Sequence, residues 1–313
     1  ITYLSRLSVI QKHTIYISLK RNVFNQRINT VLFVIILNPK MPKVSAYIPC
    51  YNNESSIADT IHSVKNQTIQ PDEIFVVDDG STDNSVYTCL EEGVRVISNK
   101  KNFGRGYTRS KAMETAKYKY VLSCDASLSL QANFIETALP WLRKEEKIAA
   151  VYGRIIQKEP FTIADRWRAI YLFRQNINYS VIRNIGFISG GSLVDKDAVL
   201  KVKNFNPELK SYEDNELGRR LIESGYGTIF EPKLIMEPLT SDNWKSVLER
   251  YARWNNDPND KIPLSSYIKN IIYSIKVMVA QDLNDKDIQR GIISIICPHF
   301  QFWYTILRKV RND

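Results

Sequence analysis

The chain has 313 residues, 44% hydrophobic and 24% charged, an ordinary globular composition that argues against disorder and leaves length for one large domain with appendages. Cys50, Cys89, Cys124 and Cys297 are scattered without a C-x-x-C or paired Cys/His spacing, so neither a zinc site nor a disulfide framework is expected and a reducing compartment is the default. The formal charge of +10 is local: residues 1–40 hold six Lys or Arg and no acid, which leaves four charges for residues 41–313, and with no recognised nucleic-acid motif no nucleic-acid partner is expected.

The sequence starts with Ile, and its first Met is Met41, just before the first convincing strand; the domain is expected to begin there. Residues 1–40 then read as upstream sequence, a basic membrane-surface arm, or a weak anchor through the apolar run 30–37. That run is well short of the ~20 residues a spanning helix needs, and no small-residue cleavage site follows it. It is given no catalytic role.

Residues 44–48 read as the first strand, running into Pro49-Cys50-Tyr51-Asn52-Asn53-Glu54. Ser55 and Ser56 can cap a helix whose Ile57, Ile61 and Val64 share one face. The apolar, β-branched run at 73–77 reads as a buried strand that stops on Asp78 and Asp79, followed by a Gly-Ser-Thr turn. Ligands of open α/β sheets collect outside the carboxyl ends of the strands, where these two acids stand; equally, D-D-G-S-T-D serves as a solvated turn capping a helix at 83–90. A third strand (95–98) leads through Asn102-Phe103-Gly104-Arg105-Gly106 into a helix past Met113, and a fourth (120–124) ends on Asp125-Ala126-Ser127. Four strand-helix alternations with short loops predict an α/β fold with a mostly parallel sheet and helices on both faces.

Beyond Ser127 a helix (133–145) and a strand (148–152) are expected, then an Arg- and aromatic-rich segment, 161–183, read as a helix across the mouth of the site. The glycine-rich stretch 186–192, a helix from Asp195, and the cluster Ser211-Tyr212-Glu213-Asp214-Asn215-Glu216 opening a helix with Arg219 and Arg220 follow. Acids at a helix start are ordinarily caps, and spacing does not reject that reading. A last strand at 227–231 precedes an amphipathic helix at 244–254 and two apolar stretches, 267–280 and 291–307, the second followed by Arg308, Lys309 and Arg311. Pro298, His299 and Gln301 disfavour a clean spanning helix, and aromatic content with flanking bases favours interfacial membrane contact over core packing or spanning.

Taken together, V-S-A-Y-I-P-C-Y-N-N-E-S-S-I, V-V-D-D-G-S-T-D, N-F-G-R-G-Y-T-R-S-K-A-M, C-D-A-S, G-G-S-L-V-D-K-D-A-V and Y-E-D-N-E-L-G-R-R-L, in that order from Val44 to about Trp254, resemble the family-2 glycosyltransferases. The resemblance implies the GT-A (Rossmann-like) fold over residues 41–240, with 241–313 a helical, membrane-associated appendage and 1–40 a basic extension. It implies a nucleotide-diphosphate sugar donor bound by Pro49, Tyr51, Glu54, Asp78, Asp79, Arg109, Gly190 and Gly191, with Arg109 facing the nucleotide or its phosphates. A divalent cation, Mn2+ or Mg2+, would sit on Asp125. The family's Asp-x-Asp reads Asp125-Ala126-Ser127 here, so the second carboxylate is replaced by the Ser127 hydroxyl. Asp214 matches the family's general base, with Glu213 orienting the acceptor or raising the pKa of Asp214 by like charge; base and leaving group on opposite faces imply inversion. Arg250-Tyr-Ala-Arg253-Trp254 partly resembles the Gln-x-x-Arg-Trp motif of processive synthases, with Arg for Gln, and single-sugar transfer is expected. Arg220, Arg253 and Trp254 are placed on the acceptor or phosphate side, although a helix-face Trp such as Trp254 more often serves packing.

The expected activity is therefore transfer to a hydroxyl of a lipid-linked or surface-glycan acceptor in glycan biosynthesis. The expected location is cytoplasmic, peripheral at the inner face of the cell membrane. The competing reading is a catalytically silent sugar-nucleotide-binding or membrane scaffold protein, motivated by the missing carboxylate; retention of Asp214 beside Glu213 argues against it.

Overall fold

The computed structural model describes residues 42–145, 147–255 and 263–312, so the expectations for residues 1–40 lie outside the described residues. The predicted alternation is present: β1 (Val44–Cys50), α1 (Ile57–Lys65), β2 (Glu73–Asp78), α2 (Ser85–Glu91), β3 (Arg95–Ser98), α3 (Arg105–Thr115) and β4 (Tyr120–Cys124). After them come β5 (Leu128–Leu130), α4 (Phe134–Lys144), β6 (Ile148–Ile155), α5 (Ile163–Tyr171), β7 (Ile182–Arg183), β8 (Gly191–Asp195), α6 (Lys196–Lys201), α7 (Glu213–Glu223) and β9 (Gly227–Pro238). The chain continues with α8 (Trp244–Asn255), α9 (Leu264–Tyr273), a π-helical stretch (Ser274–Val279), α10 (Ala280–Asn284) and α11 (Ile288–Asn312).

All the described strands join one sheet, ordered β3-β2-β1-β4-β8-β6-β9-β5 with β7 on β9. The β3-β2-β1-β4 half is parallel, as is the β6-β9 pair; β8 runs antiparallel between β4 and β6, and β5 and β7 antiparallel to β9. Period-two alternation divides β1 between the two faces of the sheet. Val44, Ala46, Ile48 and Cys50 pack with α1 and α4 on one side, whereas Tyr47 joins Phe75 and Val77 against α3 and α7 on the other. Strands covered on both sides are apolar throughout, which is why these read as continuous hydrophobic runs. Register aligns Cys50 with Asp78 and Asp78 with Ser98, so three strands end at one level.

Several expectations need correction. The segment 161–183 is not one helix: α5 stops at Tyr171, Arg174 takes a positive φ of 50°, and the chain returns to the sheet as β7. Ser56 occupies the N-cap of α1 but its hydroxyl does not cap; it donates to the Ala126 carbonyl at 2.8 Å, pinning the loop after β4. β9 runs to Pro238 rather than stopping at Glu231, passing Pro232 through shifts in its register with β6.

The C-terminal helices share a core with α5 and α8. Trp167 on α5, Val247 and Leu248 on α8, Met278, and Ile293 and Cys297 on α11 form one buried cluster. The Trp167 indole donates to Ser294 Oγ at 2.9 Å, and buried Asp282 accepts from Tyr171 and Ser294, both at 2.6 Å, and from Arg290. The stretch 291–307 is thus partly core and partly exposed. No helix among the described residues is long and apolar enough to cross a membrane. The four cysteines are buried and unpaired, and burial pushes the thiols of Cys50 and Cys89 up to about 11 and about 12, so they are inert at neutral pH.

Candidate active site

A cleft of about 430 Å³ opens where β4, β8, β6 and β9 meet the start of α7. Its polar end carries Arg105, Arg109, Asp125, Gly190, Glu213 and Asp214; Tyr152, Phe173, Tyr179, Phe187 and Phe230 supply apolar wall. Sheet register explains the meeting of Asp125 and Gly190. Cys124 pairs with Gly191 across β4 and β8, so the residue after one strand faces the residue before the other, and Asp125 N donates to the Gly190 carbonyl at 2.8 Å. A Cβ on Gly190 would lie 2.9 Å from Asp125 Oδ2, so a side chain there would crowd the carboxylate.

Arg109 organises the polar end. Projecting from the buried side of α3, it donates from Nη2 to Asp125 Oδ1 at 2.6 Å and from Nε to Glu213 Oε1 at 3.1 Å. Its Nη1 donates to Ser123 Oγ at 3.0 Å and the Tyr47 hydroxyl at 3.3 Å. Burial alone would lower its pKa; the charge of Asp125 and the groups of Tyr47 and Glu213 outweigh burial and raise it, so the guanidinium stays charged. Arg109 lines the cleft. Its fork is used on protein partners, and it acts as a clamp between the two acids.

The two acids respond differently. Burial pushes Asp125 upward, yet Arg109 and then Arg105 hold it below the ordinary carboxylate value, so it is ionised. Glu213 is raised by its burial and by the charge of Asp214, against the opposing pull of Arg109. Asp214 lines the cleft, accepting from Ser189 N at 3.3 Å and, through Oδ1, from Asn215 N at 2.8 Å. Tyr212, the N-cap of α7, has a φ of 71°, an unfavourable backbone conformation for a bulky residue; it delivers Glu213 and Asp214 side by side into the cleft.

Pro49, Tyr51 and Asp78 lie at the ends of β1 and β2, at the sheet edge beyond the cleft lining. Tyr51 is exposed; Asp78 is buried and accepts from Ser81 N at 3.1 Å. Asp79 and Glu54 both bond within the protein. Asp79 accepts from the Asn99 amide (2.9 Å), Phe103 N (3.0 Å) and Gly104 N (2.8 Å), fixing the loop that opens α3. Glu54 accepts from Asn84 N while its own N donates to Asp83, a reciprocal clasp at the start of α2. Of the turn reading of D-D-G-S-T-D, Asp83 fits, accepting from Ser85 N at 3.0 Å at the start of α2, whereas buried Asp79 serves the loop before α3 instead.

Arg220 also needs correction: it pairs with Glu216 at 2.6 Å and donates to the carbonyls of Val202 and Asn204, anchoring α7 away from the cleft. Gly191 is a packing position, since a Cβ would meet Met236 Sδ at 1.8 Å. Arg253 and Trp254 do reach the cleft from α8, with Trp254 near Phe173 (6.3 Å between centroids). Arg250 stands behind them, bonded to Asp242 at 3.1 Å. Arg105, Ser189 and Tyr212 belong to the site and were missed as individual residues. Arg105 and Ser189 sit inside the quoted motif N-F-G-R-G and the glycine-rich stretch, whereas no sequence signal marks the backbone of Tyr212.

As a seat for a hard cation, the cleft offers ionised Asp125; Ser127, two residues on, is not among the residues that line it. Among the described residues no group of three or more His, Cys, Asp or Glu is assembled for a metal. One carboxylate with phosphate oxygens and water completing the shell fits a Mg2+- or Mn2+-type ion, and does not fit a tight all-protein cage.

Residues 45–203 match the family model for Glycosyl transferase family 2. The chain is 25% identical over 219 residues, 66% of its length and 84% of the relative's, to the putative teichuronic acid biosynthesis glycosyltransferase TuaG of Bacillus subtilis. It is 31% identical over 150 residues to the chondroitin synthase of Escherichia coli, covering 46% of this chain but 22% of that much longer protein. Among solved structures, the mannosyltransferase PcManGT from Pyrobaculum calidifontis, in complex with GDP-Man and Mn2+, superposes with a TM-score of 0.60 at 14% identity, over 85% of this chain and 88% of that one. The chain belongs to the family-2 glycosyltransferases and has the GT-A fold.

Proposed function

We propose that this glycosyltransferase moves a sugar from a nucleoside diphosphate donor to an acceptor hydroxyl with inversion, Asp214 acting as general base. The observation that carries the proposal is the convergence of Asp125, Arg109, Glu213 and Asp214 on one cleft, from segments far apart in the chain. The acceptor oxygen attacks the anomeric carbon as the bond from that carbon to the diphosphate oxygen breaks. Asp214 takes the acceptor's proton, and the nucleoside diphosphate leaves with the bonding pair. Asp78, Tyr51 and Pro49 border the base and ribose, and Gly190 leaves room for the donor sugar beside Asp125. Arg105 contributes positive charge near the diphosphate, and Trp254 and Arg253 face the acceptor.

Asp125 would hold a divalent cation, which supplies electrostatic neutralisation of the leaving diphosphate when bound. Domain limits follow the same reading: a catalytic domain over 41–240 and a helical appendage over 241–313. The relatives named for teichuronic acid biosynthesis and chondroitin synthesis support a glycan acceptor; a lipid-linked acceptor handled peripherally at a membrane surface belongs to the same proposal. The test is Asp214→Asn. Transfer should fall by about 10²–10⁴-fold, the usual contribution of a positioned base, while calorimetric affinity for UDP or GDP stays within about twofold. Normal turnover in Asp214→Asn would remove the base assignment.

A further inference from the structure

The C-terminal helices expose a series of large apolar side chains, and contiguous exposed apolar patches mark protein or membrane contact sites. Along α9 and the π-helical stretch, Leu264, Ile268, Ile272 and Ile275 recur at helical spacing and all are exposed. On α11, whose Ile293 and Cys297 are buried, Ile288, Ile292, Ile295, Trp303 and Leu307 are also exposed, Ile288 at 69%. The two helices are held together: Tyr267 stacks on Phe302 at 4.3 Å, and Asn270 donates to Gln301 at 3.2 Å. The inward face of α11 and Met278 of the π-helical stretch are already occupied by the cluster shared with α5 and α8, whereas α9 buries no side chain. The exposed side chains are therefore surplus to the fold.

Charge distinguishes among occupants. The turn before α11 carries Asp285 and Lys286, both exposed, whereas residues 264–281 and 288–307 contain no Asp or Glu and expose Lys269 and Lys276. A second copy meeting the same face about a two-fold axis would bring these lysines against their own equivalents. An anionic bilayer satisfies both features at once: the Ile and Leu stripes and Trp303 enter the headgroup-acyl boundary while the lysines meet lipid phosphates. We infer that the α9 and α11 face is a monotopic docking surface for anionic phospholipid, holding the catalytic unit at a membrane without crossing it. The inference deepens the peripheral location proposed above and is independent of the transfer chemistry.

The test is co-flotation of the full-length protein with vesicles of phosphatidylcholine alone or containing about 30% phosphatidylglycerol. Binding should be about tenfold or more stronger to the anionic vesicles, and weaken as salt is raised. Ile292→Glu with Trp303→Glu should abolish it, and Lys269→Glu with Lys276→Glu should remove the lipid preference. Both double variants should keep wild-type UDP or GDP affinity, which separates loss of docking from loss of the fold. If wild-type protein ignores both vesicles, or forms a dimer that Ile292→Glu converts to monomer, the docking assignment falls. Failure of wild-type protein to bind any nucleoside diphosphate would overturn the transfer reading and leave docking standing.

Discussion

Arg109 connects two acids that the chain supplies 16 and 104 residues away. A motif specifies the residue type and its address on α3, but not which groups have already claimed its donors. That is why the sequence reading located Arg109, Asp79, Glu54 and Arg220 yet assigned ligands to side chains whose hydrogen bonds are made within the protein. Asp125, Glu213 and Asp214 were legible because each lies where an apolar strand or a helix start meets the cleft, and no local donor consumes them completely. The clamp makes a sharp prediction. Arg109→Lys keeps the charge, but an ammonium cannot span Asp125, Glu213, Ser123 and Tyr47 as the fork does. A stability loss of about 2 kcal/mol in urea unfolding is expected, with kcat falling at least about tenfold and donor KM changing little. Arg109→Met, which leaves Glu213 buried beside an unpaired Asp125, should cost about 3–5 kcal/mol. A large donor KM effect with unchanged kcat would instead return Arg109 to the nucleotide.

At the scale of elements, two local features set how the cleft is walled. Gly106, in the first turn of α3, lies under the loop leading to α7: a Cβ there would meet the carbonyls of Asn206 at 2.1 Å and Leu209 at 2.6 Å. Gly106→Ala must therefore lift the 206–210 loop and, a few residues on, displace Glu213. It should lower stability by about 1–3 kcal/mol and turnover more than UDP or GDP affinity, which separate calorimetric and rate measurements would resolve. The second feature is the capping box of α5, in which Thr162 accepts from Asp165 N at 3.0 Å and Asp165 accepts from Thr162 N at 3.3 Å. Thr162-Ile-Ala-Asp165 announces this start in the sequence, while the stop after Tyr171 depends on the backbone of Arg174, which composition does not reveal. Burial works to raise the pKa of Asp165, but the Asp242 amide, Ser241, Thr162 and Arg168 together hold it below the ordinary carboxylate value. A depressed folded-state pKa stabilises at pH above the unfolded value and ceases to as pH falls through the folded one. Asp165→Asn should thus cost about 2–3 kcal/mol near neutral pH, and the gap to wild type should narrow below about pH 4 in thermal or urea unfolding. A gap constant from pH 7 to about pH 3 would mean that the carboxylate's charge is not what holds α5.

Over the whole molecule, the cleft and the C-terminal helices are joined by α8. This helix puts Val247 and Leu248 into the cluster with α5 and α11, and at its other end presents Arg253 and Trp254 to the cleft. The apolar stretches beyond residue 263 were visible in the sequence, but their division into a buried and an exposed half was not, because it follows from where α5 and α8 happen to pack. Asp282 fixes that packing: fully buried, it receives Tyr171 from α5, and Ser294 and Arg290 from α11. Asp282→Ala leaves Arg290 with Asp285 alone and Ser294 without its acceptor. Loss of one partner from a buried ionic network should cost about 2–4 kcal/mol in urea unfolding. Because Trp254 reaches the cleft on the same layer, transfer measured below the melting temperature should weaken on the acceptor side. UDP or GDP affinity, which the proposed function assigns to residues at the ends of β1 and β2, should hold. Wild-type acceptor kinetics in a destabilised Asp282→Ala protein would show that α8 keeps its position without α11, and would reduce the C-terminal layer to a docking element alone.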